Sequence, residues 1–394
     1  MRVLLVHNRY SSAVPSGENT VVEDEATWLA EAGVDVERFE VSNDDVRDAG
    51  AVAHIAAGAL AVWSPPAARR VRERLRRARP DIVHVHNVFP LLSGSVVRAA
   101  ARERLPVAWT VHNYRLTCVA GTHYRDGRLC QDCSHGVPRA AGVRHRCYAG
   151  SAMASAALTG GVLAFGAQVR HNVTAVPVSQ YVAEWLVTRG FDRDRVRVKY
   201  GAVADPTVER APASTSRTIV FVGRLGEEKG IRLLLDAFAR CDVADAELLV
   251  IGNGDLEDEV HAAAARDPRV RGTGLLRRDD VLAAVARSRA VVLPSTWHEP
   301  FPRSAVEALS LGRPVITTGL GGLAETVDST NGWLTGVDAA NLSRAISAAL
   351  AESPTAIDRR GEASRARYEA QFTPGATTSQ LVEIYEQSIA TAAR

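Results

Sequence analysis

The chain has 394 residues, a length that fits two ordinary domains better than one. Its 46% hydrophobic and 23% charged residues are typical of globular proteins and exclude disordered or collagen-like chains. A net charge of +2 offers no basic footprint for nucleic acid, and five cysteines without an N-terminal leader argue against a secreted disulfide framework. We therefore expect a cytoplasmic protein that does not bind nucleic acid.

Short apolar runs alternate with longer stretches of helical period in both halves of the chain, which predicts βαβ units and parallel sheets. The predicted strands of the first half cover 2–7, 34–41, 81–87, 107–113 and 175–179. Those of the second half cover 217–223, 247–254, 270–274, 290–295 and 314–318. Helices are predicted over 20–32, 66–79 and 373–394. The fold class is therefore α/β, with two doubly wound, Rossmann-like parallel-sheet domains.

The stretch 200–215 lacks periodicity and contains Pro, Ser and Thr, so we interpret it as a linker. The predicted domains are then 1–204, which carries a Cys-rich insertion at about 114–150, and 205–372, followed by the helix 373–394.

Two segments raise the question of a membrane. The uncharged stretch 148–169 is rich in Gly, Ala, Ser and Thr, and we interpret it as buried helix and turn. The segment Arg69–Arg79 contains seven arginines and one glutamate among eleven positions. It is either a solvated helix face or a peripheral membrane contact.

Polar residues follow the predicted strands of the first domain, where open α/β sheets bind ligands. Their roles are either acceptor binding or internal hydrogen bonding, and the residues are His7, Asn8, Arg9, His84, His86 and Asn87. In the turn after the first strand, Ser16-Gly17 precedes a predicted helix. Free N–H groups there receive a phosphate, or Ser16 simply caps the helix.

Four of the five cysteines lie in the polar insertion, with the spacing C-x11-C-x2-C-x13-C. This pattern predicts a structural Zn²⁺ site made by Cys118, Cys130, Cys133 and Cys147. One of three histidines, His123, His135 or His145, could replace a thiolate. Free thiols, or a redox disulfide between Cys130 and Cys133, are the alternatives. The fifth cysteine, Cys241, fits a small buried residue.

The turn after the strand 217–223 reads GRLGEEKG and carries two cations, Arg224 and Lys229. The 47 basic residues of the chain include only two lysines, Lys199 and Lys229, so a lysine in this turn indicates a specific use for its compact ammonium. Both cations suit a diphosphate at the end of the strand.

A second pair of charges, Glu299 and Glu307, lies in the segment TWHEPFPRSAVEALSLGRPVI. The Pro-bounded loop predicts Glu299 at the rim of a site, and the helical run predicts Glu307 inside the following helix. Two ordinary acids near a helix N-terminus would also fit the pattern.

These motifs together resemble the retaining, family 4 type of GT-B glycosyltransferases. The resemblance is carried by PSGENT, GRLGEEKG and EPFPRSAVE, with GNGDLEDEV and GRPVITTGLGGLAETV in support, and it covers nearly the whole chain. It implies two domains that face a central cleft, with the helix 373–394 crossing back to the first domain. Two positions depart from the family pattern: Ser16 stands at a usual Gly, and Asn113 follows His112 where Asp is common.

The resemblance also implies roles for individual residues. Arg224 and Lys229 would bind the donor diphosphate, Glu307 the ribose, and Glu299 the donor sugar together with the backbone near Phe301. His112 would reach the sugar near the reacting centre. The full implied set is His112, Arg224, Lys229 and Glu299 as catalytic residues, and Gly17, Gly223, Gly252, Gly274, Leu275, Phe301, Pro302 and Glu307 as further donor-binding residues.

The activity implied is transfer of a sugar from a nucleoside-diphosphate sugar, such as a UDP-sugar, to the hydroxyl of a glycan, a lipid-linked saccharide or a secondary metabolite. Arg224 and Lys229 would neutralise the leaving diphosphate, so no catalytic metal is expected. Two alternatives with the same fold are a nucleotide-sugar 2-epimerase and a non-catalytic protein that binds sugar nucleotides.

Overall fold

The computed structural model describes residues 1–10, 12, 16–47, 57–134 and 139–392, in two compact units. The first unit comprises Met1–His123, Cys130–Tyr200 and Thr377–Arg394, and the second comprises Tyr124–Leu129 and Gly201–Ala376. The units therefore divide at Gly201 and Thr377, four residues from the predicted boundaries at 205 and 373.

The first unit contains a five-stranded parallel sheet in the order β2-β1-β3-β4-β7. Its strands are β1 (Arg2–Arg9), β2 (Asp35–Ser42), β3 (Ile82–Val85), β4 (Val107–Val111) and β7 (Thr174–Pro177). Its helices are α1 (Gly17–Glu31), α2 (Asp44–Arg47), α3 (57–62), α4 (Pro65–Ala78), α5 (Ser95–Arg102), α6 (Ala140–Arg144), α7 (Ala152–Asn172) and α8 (Gln180–Val187).

The last helix, α16 (Pro374–Ala392), packs into the core of the first unit. Leu381, Ile384 and Tyr385 are buried against Val3 and Ile82 of the sheet. Because this apolar face of the helix would otherwise be in water, its burial stabilises the attachment of residues 377–392 to the first sheet.

The second unit contains a six-stranded parallel sheet in the order β10-β9-β8-β11-β12-β13. Its strands are β8 (Thr218–Val222), β9 (Glu247–Ile251), β10 (Val270–Gly272), β11 (Ala290–Leu293), β12 (Val315–Thr317) and β13 (Gly332–Leu334). Its helices are α9 (Ile231–Ala239), α10 (Glu257–Arg266), α11 (Arg278–Ala286), α12 (Arg303–Ser310), α13 (Leu323–Thr326), α14 (Ala339–Ala351) and α15 (Pro354–Gln371).

All ten predicted strands are present, which confirms the α/β class with two parallel sheets. The prediction missed β13, an edge strand of three residues that is too short to show a period. It also missed the hairpin of β5 (Tyr124–Arg125) and β6 (Arg128–Leu129) in the Cys-rich insertion.

Helix α7 differs from the expectation of a buried helix. Within the described residues, Ala152–Arg170 is long and apolar enough to cross a membrane, but only 33% of its most apolar window is buried in the protein. Met153 and Leu163 are exposed side chains of this helix. The high content of small residues makes the helix apolar on average without giving it one large face for the core.

The strand order of each sheet reverses at one position, where the chain connections on the two sides run in opposite directions across the sheet. In the first sheet the point lies between β1 and β3, and in the second it lies between β8 and β11. The carboxyl ends of strands at such a point leave a crevice, which is the usual ligand site of open α/β sheets.

Candidate active-site residues

In the second unit, the GRLGEEKG turn begins at the carboxyl end of β8. Residues Glu227–Lys229 form a short 3-10 helix, and Gly230 then starts α9 with a φ of +75°. A Cβ at Gly230 would collide with the carbonyl oxygen of Pro294, just after β11. The glycine thus allows the turn to pass close to the end of β11. Lys229 therefore lies between β8 and β11, where the strand order reverses.

Lys229 and Glu299, separated by 70 residues, form an ion pair at this point. The Nζ of Lys229 lies 2.6 Å from Oε1 of Glu299, and the same oxygen accepts a hydrogen bond of 2.8 Å from Ser295. Lys229 also lies 5.5 Å from the ring centroid of Trp297, a cation–π distance. The Glu299 side chain is 8% exposed and that of Lys229 is 26% exposed, so the ammonium is the more accessible partner.

The loop that carries Glu299 is held by its backbone against a glycine pair. The Glu299 carbonyl accepts a hydrogen bond of 2.7 Å from the amide of Gly322, and Glu299 forms an isolated bridge with Gly321. Gly321 has a φ of +67°, and a Cβ there would collide with the Glu299 backbone. The segment GLGG after β12 is thus required for the position of Glu299.

The predicted cation Arg224 lies beside the turn and pairs with Glu228. Its side chain remains 59% exposed, so it can turn toward a ligand. Glu307 is the fifth residue of α12, which confirms its predicted place inside that helix. Arg278 donates to Glu307 at 3.0 Å, and Arg303 lies 3.5 Å from the same oxygen.

The remaining donor-side positions are mainly backbone features. Gly223 follows β8, and a Cβ at Gly252 would collide with the Gly223 carbonyl. Gly274 has a φ of +66° and is followed by Leu275, whose side chain is exposed. Pro302 precedes α12, whereas the ring of Phe301 packs on Gly201 and lies 6.1 Å from the Phe372 ring. The Phe301 side chain is therefore structural, and only its backbone can face a sugar.

In the first unit, a group of polar side chains lies at the carboxyl ends of β1, β3 and β4. The sequence left acceptor binding or internal hydrogen bonding open for these residues, and the structure buries His7, Asn8, His86 and Asn87, each less than 10% exposed. Asn8 donates to Asn43 at 2.8 Å, and Asn87 donates to the backbone carbonyl of Asn8 at 2.7 Å. These amides use their hydrogen-bonding capacity to connect strand ends, because unpaired buried polar groups are costly.

His112 follows β4 and belongs to a row of close polar contacts. Its Nε2 lies 2.9 Å from Nδ1 of His86, and Nε2 of His86 lies 3.2 Å from Oε1 of Glu25. The other oxygen of Glu25 accepts from Nζ of Lys199 at 2.5 Å. His84 also lies 3.2 Å from Oε1 of Glu25.

Burial and neighbouring charges set the protonation states of this group. Burial alone would raise the pKa of Glu25, but the Lys199 ammonium and the two histidine rings outweigh it and hold that pKa well below its usual range. Burial lowers the pKa values of His84 and His112 well below their usual range, with a further contribution from the His86 ring. Glu25 is therefore ionised, and His84 and His112 are neutral near pH 7.

A cavity beside His112 contains a carboxyl that the sequence analysis overlooked, that of Glu18. The cavity is lined by polar and aromatic groups, among them Glu18, His86, Asn87, Trp109, His112 and Arg115. Tyr10 donates to Glu18 at 3.2 Å, and burial raises the pKa of Glu18 against the opposing effect of the Arg115 guanidinium. The signal for Glu18 was its position in the first turn of α1, directly after Ser16-Gly17.

The turn before α1 is only partly described, since residues 11 and 13–15, including Pro15 of PSGENT, lie outside the described residues. The side chain of Ser16 accepts a hydrogen bond of 3.3 Å from the amide of Asn19 and caps the helix. Among the described residues, no atom lies within 4 Å of a Cβ built at Gly17. The capping role is present in the structure, and the open space at Gly17 leaves its backbone accessible.

No disulfide links the predicted zinc ligands among the described cysteines. In the described part of the chain, the ligand atoms of Glu25, His84 and His86 all lie within 4.8 Å of one another. The described cysteine sulfurs do not form such a group of three. Three of the cysteines are neighbours, since burial and the nearby thiols of Cys118 and Cys130 raise the pKa of Cys133, and zinc binding by the four stays a prediction. His135, a candidate substitute ligand, lies outside the described residues. Cys241 is buried, as expected.

Comparison with known families supports the assignment suggested by these residues. Residues 15–204 match the model described as Glycosyltransferase Family 4, and residues 216–352 match the model described as Glycosyl transferases group 1. A glycogen synthase of Mycobacterium tuberculosis is 33% identical over 190 residues, which cover 46% of this chain and 45% of the relative. The match thus spans about half the length of this curated relative.

Solved structures support the fold over the whole chain. Sucrose-phosphate synthase from Thermosynechococcus elongatus has a TM-score of 0.73 at 19% identity and covers 99% of both chains. Anabaena Alr3699/HepE in complex with UDP has a TM-score of 0.68 at 18% identity, covering 98% of this chain and 100% of the other. With its two parallel-sheet domains in the GT-B fold, the chain belongs to the family 4 type of glycosyltransferases.

Proposed function

We propose that the protein is a retaining glycosyltransferase that moves a sugar from a nucleoside-diphosphate sugar to an acceptor hydroxyl. The observation that carries this proposal is the Lys229–Glu299 pair at the carboxyl ends of β8 and β11, with the exposed Arg224 in the same turn. The complexes of Alr3699/HepE with UDP and with UDP-glucose support a UDP-sugar as the donor.

The chemistry requires stabilisation of a leaving diphosphate. When the bond to the anomeric carbon breaks, negative charge grows on the phosphate oxygens and positive charge grows on the sugar. Arg224 and Lys229 would bind these oxygens more strongly as their charge grows, which lowers the barrier without a catalytic metal. Lys229 would exchange its contact with Glu299 for one with phosphate, at little cost because its side chain is already partly exposed.

Glu299 is proposed as a positioning group for the donor sugar. Its Oε1 already accepts from Lys229 and Ser295, which leaves Oε2 for a sugar hydroxyl and makes it a poor nucleophile. Retention would then follow from attack on the face that the diphosphate leaves, with a phosphate oxygen taking the acceptor proton. Glu307 would bind the ribose, and His112 would contact the sugar.

A panel of nucleotide-sugar donors provides the test. We expect one donor to raise the melting temperature, because a bound ligand stabilises the folded state, and to yield a product with retained anomeric configuration by NMR. Activity should persist in EDTA. Epimerisation of the donor without an acceptor would favour the 2-epimerase alternative, and donor binding without turnover across acceptors would favour a non-catalytic binding protein.

The acceptor is proposed to be a glycan, a lipid-linked saccharide or a secondary metabolite, bound at the carboxyl edge of the first sheet, outside the small cavity that His86 and Asn87 line. We also propose a cytoplasmic protein that contacts the membrane surface through Arg69–Arg79. Among these arginines, Arg69, Arg74 and Arg76 form ion pairs with Glu73, Glu37 and Glu103. The exposed Arg77 and Arg79 would then supply attraction to anionic lipid.

Sedimentation with anionic and neutral vesicles tests the membrane contact. The Arg77→Gln/Arg79→Gln variant should bind anionic vesicles several-fold more weakly than the wild type. The matched variant Arg240→Gln/Arg266→Gln, with exposed arginines of the second unit, should bind like the wild type. Equal binding of all three proteins, or of both vesicle types, contradicts the proposal.

Zinc binding by Cys118, Cys130, Cys133 and Cys147 stays a prediction that requires the insertion to rearrange around the ion. Metal analysis of protein purified without added zinc, combined with thiol titration, decides it. About one equivalent of zinc and protected thiols support the site. Less than about half an equivalent, with four titratable thiols, excludes it.

A further inference from the structure

Lys199, the lysine that is not part of the proposed donor site, is buried in the first unit. It is 3% exposed, and its Nζ lies 2.5 Å from Oε2 of Glu25, which is 2% exposed. Replacing such a pair by apolar residues is often neutral or stabilising, so burial of two charges is weak evidence for a purely structural role.

The pair contacts a histidine that continues toward the cavity. Oε1 of Glu25 and Nε2 of His86 are 3.2 Å apart, a charge contact rather than an aligned hydrogen bond, and both atoms are buried without a hydrogen-bond partner among the described residues. On the other side of the His86 ring, Nδ1 lies 2.9 Å from Nε2 of His112. The row Lys199–Glu25–His86–His112 thus runs from the interior to a partly exposed ring that lines the cavity.

The ionised carboxylate determines where the protons of this row lie. An ionised carboxylate repels a ring lone pair at 3.2 Å, so this contact favours the form of His86 that carries its hydrogen on Nε2. In a neutral imidazole, Nδ1 of His86 then has a lone pair and accepts from Nε2–H of His112. Nδ1 of His112 is consequently left with a free lone pair, and the structure gives it no partner among the described residues.

His84 contacts the same carboxylate, but its other contacts lie inside the first unit. Its Nδ1 lies 2.5 Å from the hydroxyl of Tyr385, and its Nε2 lies 2.7 Å from Thr110. Both ring nitrogens are therefore used inside the unit. Glu25, His84 and His86 could also be read as ligands of a metal ion. The Lys199 ammonium already binds the Glu25 carboxylate, and its positive charge would repel a metal cation there.

We propose that Lys199 and Glu25 act through His86 as positioning residues, which hold His112 in the tautomer whose free Nδ1 accepts a hydrogen bond from a substrate hydroxyl. The contact with substrate rests on the proposed function, whereas the tautomer does not. Lys199 keeps Glu25 ionised, and Glu25 in turn fixes both rings. A neutral partner in place of Glu25 could donate as well as accept, so it would no longer select one tautomer.

Nitrogen-15 NMR of histidine-labelled protein tests the tautomer directly, because the two nitrogens of a neutral ring have different shifts depending on which one carries hydrogen. The His112 signals are identified by their loss in His112→Gln. We expect His112 in the wild-type protein to be the Nε2–H form near neutral pH. Finding the Nδ1–H form, or an equal mixture, overturns the proposal without any further variant.

The variant Glu25→Gln/Lys199→Met removes both charges together and so avoids a single unpaired buried charge. We expect it to give His112 a substantial Nδ1–H population. The matched control is Glu184→Gln, which makes the same chemical change in an exposed ion pair of the first unit and should leave His112 unchanged. A folded double variant with the wild-type tautomer also overturns the proposal.

Kinetics then separate this inference from the proposed function. With an active donor and acceptor pair, the double variant should lose roughly tenfold in kcat, as when the outer partner of an imidazole is removed, with little change in the donor KM. An equal loss in Glu184→Gln, or a change confined to KM, would contradict positioning of His112. Absence of transfer by the wild-type protein would refute the proposed function and leave the NMR result to decide this inference.

Discussion

Each lysine of this chain donates to a glutamate, but the two pairs differ in their exposure. Lys199 is 3% exposed and bonded to Glu25, whereas the Lys229 side chain is 26% exposed and bonded to Glu299. Breaking a buried ion pair leaves uncompensated charges out of reach of water, whereas water can compensate a partly exposed ammonium while it changes partner. The burial of each lysine therefore separates a fixed charge from one that is available to a ligand.

The variant Lys229→Ala removes the ammonium that we expect to bind the diphosphate. We expect kcat/KM to fall at least about 10²-fold, because one of the two groups that stabilise the leaving diphosphate is lost. The melting temperature should fall only modestly, because Ser295 still donates to the Glu299 carboxylate that loses its cation. Initial rates and thermal unfolding measure both effects.

The control for this variant is Arg240→Ala, which removes a cation from an exposed ion pair with Asp236 in the same unit. Its activity should match that of the wild type. Near-normal turnover by Lys229→Ala would remove Lys229 from the diphosphate site.

At the scale of elements, the turn between β8 and α9 depends on a glycine rather than on a charge. Gly230 combines a φ of +75° with close approach to the Pro294 carbonyl, so Gly230→Ala should destabilise the second unit by about 1–3 kcal/mol. Chemical denaturation measures the change, and donor binding should weaken as well because Lys229 directly precedes this glycine.

Gly375→Ala is the matched change. Gly375 lies in α16, has an ordinary φ, and a Cβ there meets no atom within 4 Å. We expect it to be neutral or slightly stabilising, since alanine favours helix. If the two variants unfold at the same denaturant concentration, the turn at Gly230 does not require a glycine.

At the scale of the whole molecule, the buried histidines make stability depend on pH. Burial, with the nearby His86 ring, lowers the pKa of His7 from 6.5 to about 4. The unfolded chain therefore binds this proton more readily than the folded chain, so stability is fully present above pH 6.5 and is lost as the pH falls toward 4. The lowered pKa values of His84 and His112 act in the same direction, and the raised pKa of Glu18 opposes them.

From His7 alone, we expect a loss of about 2.5 kcal/mol of unfolding free energy between about pH 7.5 and about pH 4.5. Denaturant unfolding of the first unit at several pH values measures the slope. His7→Gln, which cannot titrate, should reduce the loss by most of that amount. An unchanged slope in this variant would show that His7 is not the source.

The class of fold, ten of the eleven strands described in the two sheets and the charged turns follow from the sequence alone, because parallel sheets leave apolar runs and ligand turns leave Gly, Lys and Glu. The sequence also indicated Lys229, through the rarity of lysine, and Glu299, through its loop. It could not join them, since their meeting across 70 residues depends on β8 and β11 being neighbours in the sheet.

The tertiary structure alone decided which polar residues are buried. His7, Asn8 and Asn87 look like a rim in the sequence, but the close packing of β1 and β3 places them inside. It also brought Glu25, Lys199, His86 and His112 into one row, although they come from four separate segments. Such contacts have no period or spacing along the chain, because only the packing of helices and strands creates them.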